Sequence, residues 1–237
     1  MMLNNKERII HVAKRLEELR KKLVFIGGGI IGLILDQDYL LQPRPSYDLD
    51  AIVEIYGMLD FEEINDQLRK LGFKHNVRDQ IICRWEIDGI QVDIMPTDPK
   101  ILGFSNKWYK EAARTASNYF LEKELEILLI SAPYLLATKI EAFESRGRKD
   151  FFGSHDFEDL ITIIDGRKNI VKEISQSSKD LQKYFIEKFS SYLKDGDFIQ
   201  ALPGHLNPYG TVAPIREAYI IETIQRILQL DSGQSGN

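Results

Sequence analysis

The sequence predicts an α+β fold, in which a mixed β-sheet with helices is followed by a helical C-terminal domain. Up to residue 132, short β-branched runs alternate with segments of helical apolar spacing. From Pro133 onward, the apolar residues recur only at helical spacing. The 237 residues are 43% hydrophobic and 28% charged, which suits a globular protein with a buried core. We therefore expect two domains, over residues 1–132 and 133–230, and a disordered polar tail over 231–237.

The elements of the first domain follow from local patterns. Near-helical apolar spacing over residues 6–20 predicts an amphipathic helix. The run LVFIGGG predicts a buried strand that ends in a tight glycine turn, IIGLILDQDYL predicts a helix, and YDLDAIVEI predicts a second strand. FEEINDQLRKLGF is typical of a helix that ends at Gly72. Asp88 and Gly89 separate IICRWEI from IQVDIMPT, which predicts a β-hairpin, and EILLIS predicts a further strand.

The second domain is predicted to be helical. Pro133 opens the segment PYLLATKIEAFES, and a proline in the first turn of a helix removes no hydrogen bond. Helical apolar spacing then recurs in segments separated by Gly, Asp or Pro: HDFEDLITIIDG, NIVKEIS, KDLQKYFIEKFSSYL and IREAYIIETIQRILQL.

Composition argues against several classes of protein. The single cysteine, Cys83, excludes an intramolecular disulfide and a thiolate-rich zinc site. The histidines lack the i, i+4 spacing of a helical metal site, which argues against a histidine-based zinc enzyme. The net charge of −5 gives no global attraction to nucleic acid. No apolar run approaches the roughly 20 residues of a membrane-spanning helix, and the charged start is unlike a signal peptide, so we expect a cytoplasmic protein.

Three aspartates are the strongest candidates for a catalytic site. In YDLDAIVEI, the alternation of a strand places Asp48 and Asp50 on one face. Two carboxylates so close repel each other, and a divalent cation makes the pair favourable. Asp93 lies in an apolar strand pattern, IQVDIMP, and a buried carboxylate needs a partner. A neighbouring strand with Asp48 and Asp50 would supply that partner through shared Mg²⁺, which prefers hard oxygen ligands.

Two Mg²⁺ ions could be held by these three acids, about 3.5 to 4 Å apart. Such a pair activates an attacking hydroxyl and neutralises charge on the α-phosphate and the departing pyrophosphate, as in phosphoryl-type transfer. Asp93 would also be the base that takes the proton of the hydroxyl.

A glycine turn could bind the phosphates of a nucleotide. Its glycines would let backbone amides approach a triphosphate, and the N-terminus of the next helix would add a favourable dipole: Gly27, Gly28 and Gly29. Arg44 and Ser46 could hold further phosphate oxygens. Each feature has a simpler interpretation, because most Asp-x-Asp pairs are solvated charges and most glycine runs only make a turn. The ordered combination of strand, glycine turn, helix, Asp-x-Asp strand and later buried Asp favours a site.

Several segments together resemble the nucleotidyltransferases of the AbiEii/AbiGii toxin group, which includes MenT-like toxins. They are IGGG, RPSYDLD, QVDIMP, APYLLATKIEAF and HDFEDL, in this order over roughly residues 20–165. The resemblance implies a polymerase-beta-like nucleotidyltransferase fold followed by a helical domain. It also implies that Asp48, Asp50 and Asp93 bind Mg²⁺.

Two more site residues are implied by the resemblance alone. Lys139 matches a lysine that helps to bind nucleotide phosphates, and Asp156 matches an aspartate that completes the site, with Asp159 as the second match. By itself, a helix lysine is usually solvated, although Lys139 has apolar neighbours, and Asp156 could only be a charge at a helix N-terminus. The group places Ser or Thr after its glycine pair, where this chain has Gly29 and Ile30, so phosphate binding would rest on backbone amides.

The resemblance implies transfer of a nucleoside monophosphate from an NTP to an acceptor hydroxyl, with release of pyrophosphate. The implied acceptor is the 3′ end of tRNA, and the implied protein partner is an antitoxin. One alternative is the same chemistry on a small molecule, such as an aminoglycoside antibiotic, or on a protein side chain. The others are a non-catalytic nucleotide-binding module and a structural helical interaction protein.

Two basic segments are the candidates for contact with RNA. SRGRKD contains Arg146, Arg148 and Lys149, and the other segment spans residues 106–114. Short basic clusters are more often solubilising loops. Three aromatic residues are better explained as core or subdomain contacts than as base-stacking platforms: Trp85, Trp108 and Tyr109.

Overall fold

The computed structural model describes residues 3–37, 43–55, 57–75, 81–103, 105–147, 149–206 and 213–230. Within these ranges the chain forms two compact units. The first contains residues up to 34 and from 43 to 138, and the second contains residues 35–37 and those from 139 onward. The predicted domain boundary after residue 132 falls at the first residue of helix Ala132–Ser145, whose residues belong to both units. The predicted tail, residues 231–237, lies outside the described residues.

The first unit contains a mixed sheet and mostly short helices. Its strands are β1 (Leu23–Ile26), β2 (Asp48–Val53), β3 (Lys74–His75), β4 (Arg84–Ile87), β5 (Ile90–Pro96), β6 (Ser117–Glu122) and β7 (Leu125–Leu129). Its α-helices are α1 (Asn5–Arg15), α2 (Ile31–Ile34), α3 (Met58–Lys70), α4 (Pro99–Leu102), α5 (Tyr109–Arg114) and the first part of α6 (Ala132–Ser145). The 3₁₀-helices Glu17–Lys22 and Gly28–Ile30 flank β1.

The strands follow the order β3-β4-β5-β2-β1-β7-β6. The pairs β1–β7 and β2–β5 are parallel, and the other neighbouring pairs in this series are antiparallel. All four residues of β1 are buried, which explains why LVFI is a continuous apolar run rather than an alternating one. The predicted α+β class, with a mixed sheet and helices, is confirmed.

Two predicted helices are shorter in the structure. The helix expected over residues 6–20 ends as an α-helix at Arg15, and the chain continues as the 3₁₀-helix Glu17–Lys22, whose first residue, Glu17, has a positive φ of 48°. The helix expected over IIGLILDQDYL is limited to the 3₁₀-turn and the four residues of α2, and residues 38–42 lie outside the described part of the chain. Apolar spacing alone therefore overestimated both lengths.

The outer strands β3 and β6 are not predicted from the sequence. β3 has only two residues, and a segment this short carries no periodic signal. In β6 only Leu121 is buried, and the turn into β7 uses Lys123 and Glu124 instead of the usual turn residues. Strands at the edge of a sheet have few buried positions, so their alternation is weak.

The second unit contains no strand in its described residues, which confirms the predicted helical C-terminal region. It comprises the rest of α6, α7 (His155–Gly166), α8 (Ile170–Ser175), α9 (Lys179–Tyr192), α10 (Gly196–Leu206) and α11 (Ala213–Leu228). Its core includes aromatic rings whose centroids lie 5.0 to 5.9 Å apart: Phe143, Phe151, Phe157, Tyr192 and Phe198. None of the helices in the described ranges is long and apolar enough to cross a membrane.

Candidate metal and nucleotide site

Asp48, Asp50 and Asp93 meet on one face of the sheet. β2 and β5 are parallel neighbours, and their register places Asp50 beside Asp93. Because side chains alternate along β2, Leu49 and Ala51 are buried on the opposite face. One carboxylate oxygen from each of the three aspartates lies within 4.8 Å of the others. The structure thus brings together the three acids that the sequence singles out.

This set of donors suits a hard divalent cation. All three side chains offer carboxylate oxygens, which are the ligands that Mg²⁺ prefers. Like charges at these separations repel, so the cluster costs free energy unless a cation compensates it. Asp93 is buried, whereas Asp48 and Asp50 are half-buried, which leaves one side of the cluster accessible to a ligand. The three residues therefore fit a Mg²⁺ site.

Arg84 is a residue of this cluster that the sequence interpretation missed. It lies opposite Asp93 on β4, and its Nε and Nη2 donate hydrogen bonds of 2.9 and 2.8 Å to the two oxygens of the Asp93 carboxylate. A bidentate arginine fixes the plane of a carboxylate as well as partly neutralising it. The pairing of Arg84 with Asp93 could have been found from the predicted hairpin, because a two-residue turn at Asp88 and Gly89 places Arg84 directly across from Asp93.

Cys83, next to Arg84, is a buried thiol rather than a ligand. Burial raises the pKa of the Cys83 thiol to about 11, and the negative charge of Asp93 adds to this effect. The thiol is therefore protonated at neutral pH, and only a thiolate binds metal strongly. Cys83 is buried in the turn that precedes β4, one residue before the strand in which the sequence pattern would place it.

Gly27 has no room for a side chain because it lies against Asp50. A Cβ atom on Gly27 would lie 2.0 Å from Oδ2 of Asp50, and the φ of Gly27 is +81°. At Gly29, a Cβ would lie 2.9 Å from the side chain of Leu49 and 3.4 Å from the carbonyl oxygen of Asp48. The glycine turn therefore packs directly on the start of β2, beside the acid cluster. Phosphate binding by the amides of Gly27, Gly28 and Gly29 stays a prediction.

The predicted helix dipole at this turn is weaker than expected. The turn leads into a 3₁₀-helix, Gly28–Ile30, and then into α2, which has only four residues. A macrodipole is the sum of aligned peptide dipoles, so a helix of one turn supplies little of it. Any attraction for phosphate at this point must come mainly from individual amides.

Ser46 lies beside the acid cluster and Arg44 lies two residues earlier. The Ser46 side chain is buried, and its hydroxyl donates a hydrogen bond of 2.9 Å to Oδ1 of Asp48. The Ser46 hydroxyl proton therefore points at the Asp48 carboxylate, and this hydrogen bond orients Asp48. Arg44 is half-buried, and its carbonyl oxygen accepts a hydrogen bond from Asn5. Phosphate binding by Arg44 and Ser46 stays a prediction.

In the second unit, Lys139 is buried between two aspartates. Its Nζ lies 3.0 Å from Oδ1 of Asp156 and 2.6 Å from Oδ2 of Asp159. Lys139 is 5% exposed, so the interpretation of a solvated helix lysine is wrong. A buried ammonium needs such partners, because an isolated charge in an apolar region is strongly disfavoured.

Asp156 is more than a charge at the N-terminus of α7. It is buried in the first turn of that helix, and Nε and Nη2 of Arg146 donate hydrogen bonds of 2.8 and 2.9 Å to its carboxylate. Burial by itself would raise the pKa of Asp156, but hydrogen bonds from Arg146 and the charge of Lys139 outweigh it and lower the pKa to about 2. Asp156 is therefore ionised at any physiological pH.

The basic and aromatic candidates have structural contacts. Arg146 forms an ion pair with Asp156, while Arg148 of the same segment lies outside the described residues. Trp85 and Trp108 are buried, as the core interpretation predicts. In the segment 106–114, Asn106 donates a hydrogen bond of 3.0 Å to the carbonyl of Thr138. Contact with RNA stays a prediction for both segments.

Comparison with solved structures identifies the fold. The chain is similar to the crystal structure of an antigenic nucleotidyltransferase-like protein from Paracoccidioides brasiliensis, with a TM-score of 0.50 and 17% sequence identity. The match covers 84% of this chain and 93% of that chain. This chain has a nucleotidyltransferase-like fold. No protein-family model matches the sequence, and no curated protein matches it. The AbiEii/AbiGii group, to which the motifs point, stays a prediction.

Proposed function

We propose that this protein is a Mg²⁺-dependent nucleotidyltransferase, which moves a nucleoside monophosphate from an NTP to an acceptor hydroxyl and releases pyrophosphate. The observation that carries the proposal is the convergence of Asp48, Asp50 and Asp93 on adjacent strands of a nucleotidyltransferase-like fold. Mg²⁺ bound there would supply charge neutralisation at the phosphates and a more acidic attacking hydroxyl.

The acids have distinct proposed roles. Asp48 and Asp50 alternate along one strand and would hold metal from one side, while Asp93 would hold it from the neighbouring strand. Asp93 is also the proposed base for the acceptor hydroxyl. Arg84 binds both oxygens of Asp93 and so orients the carboxylate, and each oxygen keeps a second lone pair for a metal or a proton.

The nucleotide phosphates are proposed to lie at the glycine turn. Gly27 and Gly29 pack on the start of β2, so the amides of the turn would be close to the acids. Arg44 would add positive charge. The proposed role of Lys139 in phosphate binding, and of Asp156 in completing the site, rests on the resemblance to the AbiEii/AbiGii group. A phosphate would have to compete with the two carboxylates that already bind the Lys139 ammonium.

The acceptor is proposed to be the 3′ end of a tRNA, with an antitoxin as a protein partner, as the resemblance implies. The net charge of −5 does not by itself favour a polynucleotide, so such an acceptor would need a local basic surface. A small molecule or a protein side chain is the alternative acceptor for the same chemistry. Binding of NTP without turnover would mark a non-catalytic module.

The proposal is tested by incubating the purified protein with Mg²⁺, each α-labelled NTP in turn, and total cellular RNA. The inactive variant is Asp48→Asn/Asp50→Asn, which keeps side-chain volume but removes two negative charges. The matched control is Asp66→Asn, an exposed aspartate on α3. Transfer of label into RNA by the wild type and by the control, and its loss in the double variant, is the expected result.

Other outcomes separate the alternatives. If label moves into protein or a small molecule and pyrophosphate is released, the protein is a nucleotidyltransferase, but its acceptor is not RNA. If NTP binds in a Mg²⁺-dependent way but no pyrophosphate is released with any acceptor, catalysis is refuted. Equal activity in the wild type and the double variant would refute the role of the acid cluster.

A further inference from the structure

The segment before β2 is held by side chains of α1. The amide nitrogen of the Asn5 side chain donates a hydrogen bond of 3.2 Å to the carbonyl oxygen of Arg44. The amide oxygen of the same side chain accepts a hydrogen bond of 3.0 Å from the backbone N–H of Ser46. Asn5 therefore binds a carbonyl and an N–H two residues apart, as a neighbouring strand would.

Arg8, one turn later on α1, also binds backbone groups of the segment before β2. Its Nη1 donates to the carbonyl oxygen of Ser46, and its Nη2 donates to the carbonyl oxygen of Tyr47. The planar guanidinium holds two adjacent carbonyls with two nitrogens in a fixed fork, whereas the ammonium of a lysine is a single centre without that geometry. Together, Asn5 and Arg8 satisfy four backbone groups in the residues that lead into Asp48.

These hydrogen bonds fix a chain of contacts that ends at the acid cluster. Ser46 is buried, and with its backbone held by Asn5 and Arg8, its hydroxyl donates to Oδ1 of Asp48 at 2.9 Å. A hydroxyl bound to one carboxylate oxygen sets the rotation of that carboxylate, as partners of metal ligands commonly do. The segment also contains Pro45, which has no backbone N–H. The segment therefore cannot form all the backbone hydrogen bonds of a strand.

The same helix contacts the glycine turn. α1 packs against the 3₁₀-helix Gly28–Ile30, and a Cβ on Gly29 would lie 3.8 Å from the Cβ of Ser46. Helix α1 therefore supports the glycine turn and the segment before Asp48 together.

We propose that Asn5 and Arg8 are positioning residues of the metal site, which hold Ser46 so that its hydroxyl orients the Asp48 carboxylate. The inference rests on the proposed function, because it assigns a role in the same metal site. Both side chains bind backbone groups of residues 44–47. Their effect is on the geometry of Asp48 and hence on metal affinity.

A positioning role can be separated from a role in the stability of α1. Asn5→Asp keeps the shape of the side chain but replaces the donor to Arg44 with a carboxylate oxygen that faces a carbonyl oxygen. At the first position of the helix, this negative charge favours the helix through its dipole. Asn4→Ala is the matched control, since Asn4 caps the same helix through its hydrogen bond with the backbone N–H of Glu7.

The two variants should therefore differ in their Mn²⁺ affinity. Asn5→Asp should weaken Mn²⁺ binding about tenfold, the lower end of the range found for direct partners of metal ligands, and the helix dipole should offset part of the stability lost with the Arg44 hydrogen bond. Asn4→Ala should lower the unfolding midpoint and leave Mn²⁺ affinity within about twofold of the wild type. Arg8→Lys, which keeps the charge but loses the fork, should resemble Asn5→Asp in metal affinity.

The experiment measures Mn²⁺ affinity of the full chain by electron paramagnetic resonance, without nucleotide, together with amide hydrogen exchange of residues 44–48. Faster exchange in this segment and weaker Mn²⁺ binding in Asn5→Asp and Arg8→Lys, but not in Asn4→Ala, supports the inference. Equal Mn²⁺ affinity in Asn5→Asp and the wild type overturns it and leaves the proposed function intact. Absence of Mn²⁺ binding in the wild type refutes the metal site, and the positioning role with it.

Discussion

Replacing Arg84 by methionine tests how far the acid cluster depends on a compensating cation. Arg84 and Asp93 are joined by two charge-assisted hydrogen bonds, and their side chains are only 22% and 12% exposed. Removing one partner of a buried ion pair costs about 3 to 5 kcal/mol. Since Arg84 keeps some contact with solvent, we expect Arg84→Met to lower the free energy of unfolding without metal by about 3 kcal/mol.

Mg²⁺ should restore much of this loss. In the variant, the cluster carries more uncompensated negative charge, so Mg²⁺ should bind more tightly than in the wild type. A ligand at a hundred times its Kd stabilises the folded state by about 2.7 kcal/mol, and each tenfold gain in affinity adds about 1.4 kcal/mol at fixed concentration. The stability gained with Mg²⁺ should therefore be larger for Arg84→Met than for the wild type.

Urea unfolding followed by circular dichroism, in EDTA and in saturating MgCl₂, measures both quantities. The control is Arg114→Met, which removes the more exposed pair with Glu54 and should cost about 1 kcal/mol or less. The reasoning fails if Arg84→Met costs no more than this control. It also fails if Mg²⁺ stabilises Arg84→Met less than the wild type.

Three further perturbations address other parts of the molecule. Gly27→Ala should weaken Mn²⁺ binding more than tenfold and destabilise the fold by about 2 kcal/mol, because the φ is positive and the added Cβ collides with Asp50. Gly57→Ala, where a Cβ meets nothing within 4 Å, is its control in calorimetric titration and urea unfolding. The lowering of the Asp156 pKa from 3.8 to about 2 corresponds to about 2 kcal/mol of stability, present above pH 4 and lost as the pH falls toward 2. The difference in unfolding free energy between wild type and Asp156→Asn should shrink over that pH window, and a constant difference would contradict the assignment. Lys139→Met should cost about 3 to 5 kcal/mol in urea unfolding, since it removes the ammonium between two buried carboxylates, and a neutral effect would exclude that role.

Elements with strong local signals were predictable from the sequence. The buried run of β1, the alternation of β2 and the turn at Asp88 and Gly89 depend on neighbouring residues, so each is encoded within a short stretch of chain. The same alternation placed Asp48 and Asp50 on one face. Weak edge strands such as β6, and the early end of α1 at Arg15, lack such a local signal.

Burial of charged groups was not predictable in this way. Lys139 looks like an ordinary helix lysine in the sequence, and its partners Asp156 and Asp159 are 17 and 20 positions further along the chain. The periodicity of α6 shows which residues adjoin its apolar face, but not which helix covers that face. Only the packing of α7 shows that the ammonium is enclosed by carboxylates.

The sequence by itself determined the class of fold and the acidic residues with the chemistry for metal binding, because strand alternation and turn propensities act over a few residues. The tertiary structure decided what surrounds those acids. Arg84 reaches Asp93 through the pairing of β4 with β5, and Asn5 reaches Ser46 across 41 positions of sequence. Contacts of this kind depend on which elements pack together, and that choice is made by the free energy of the whole fold rather than by any one segment.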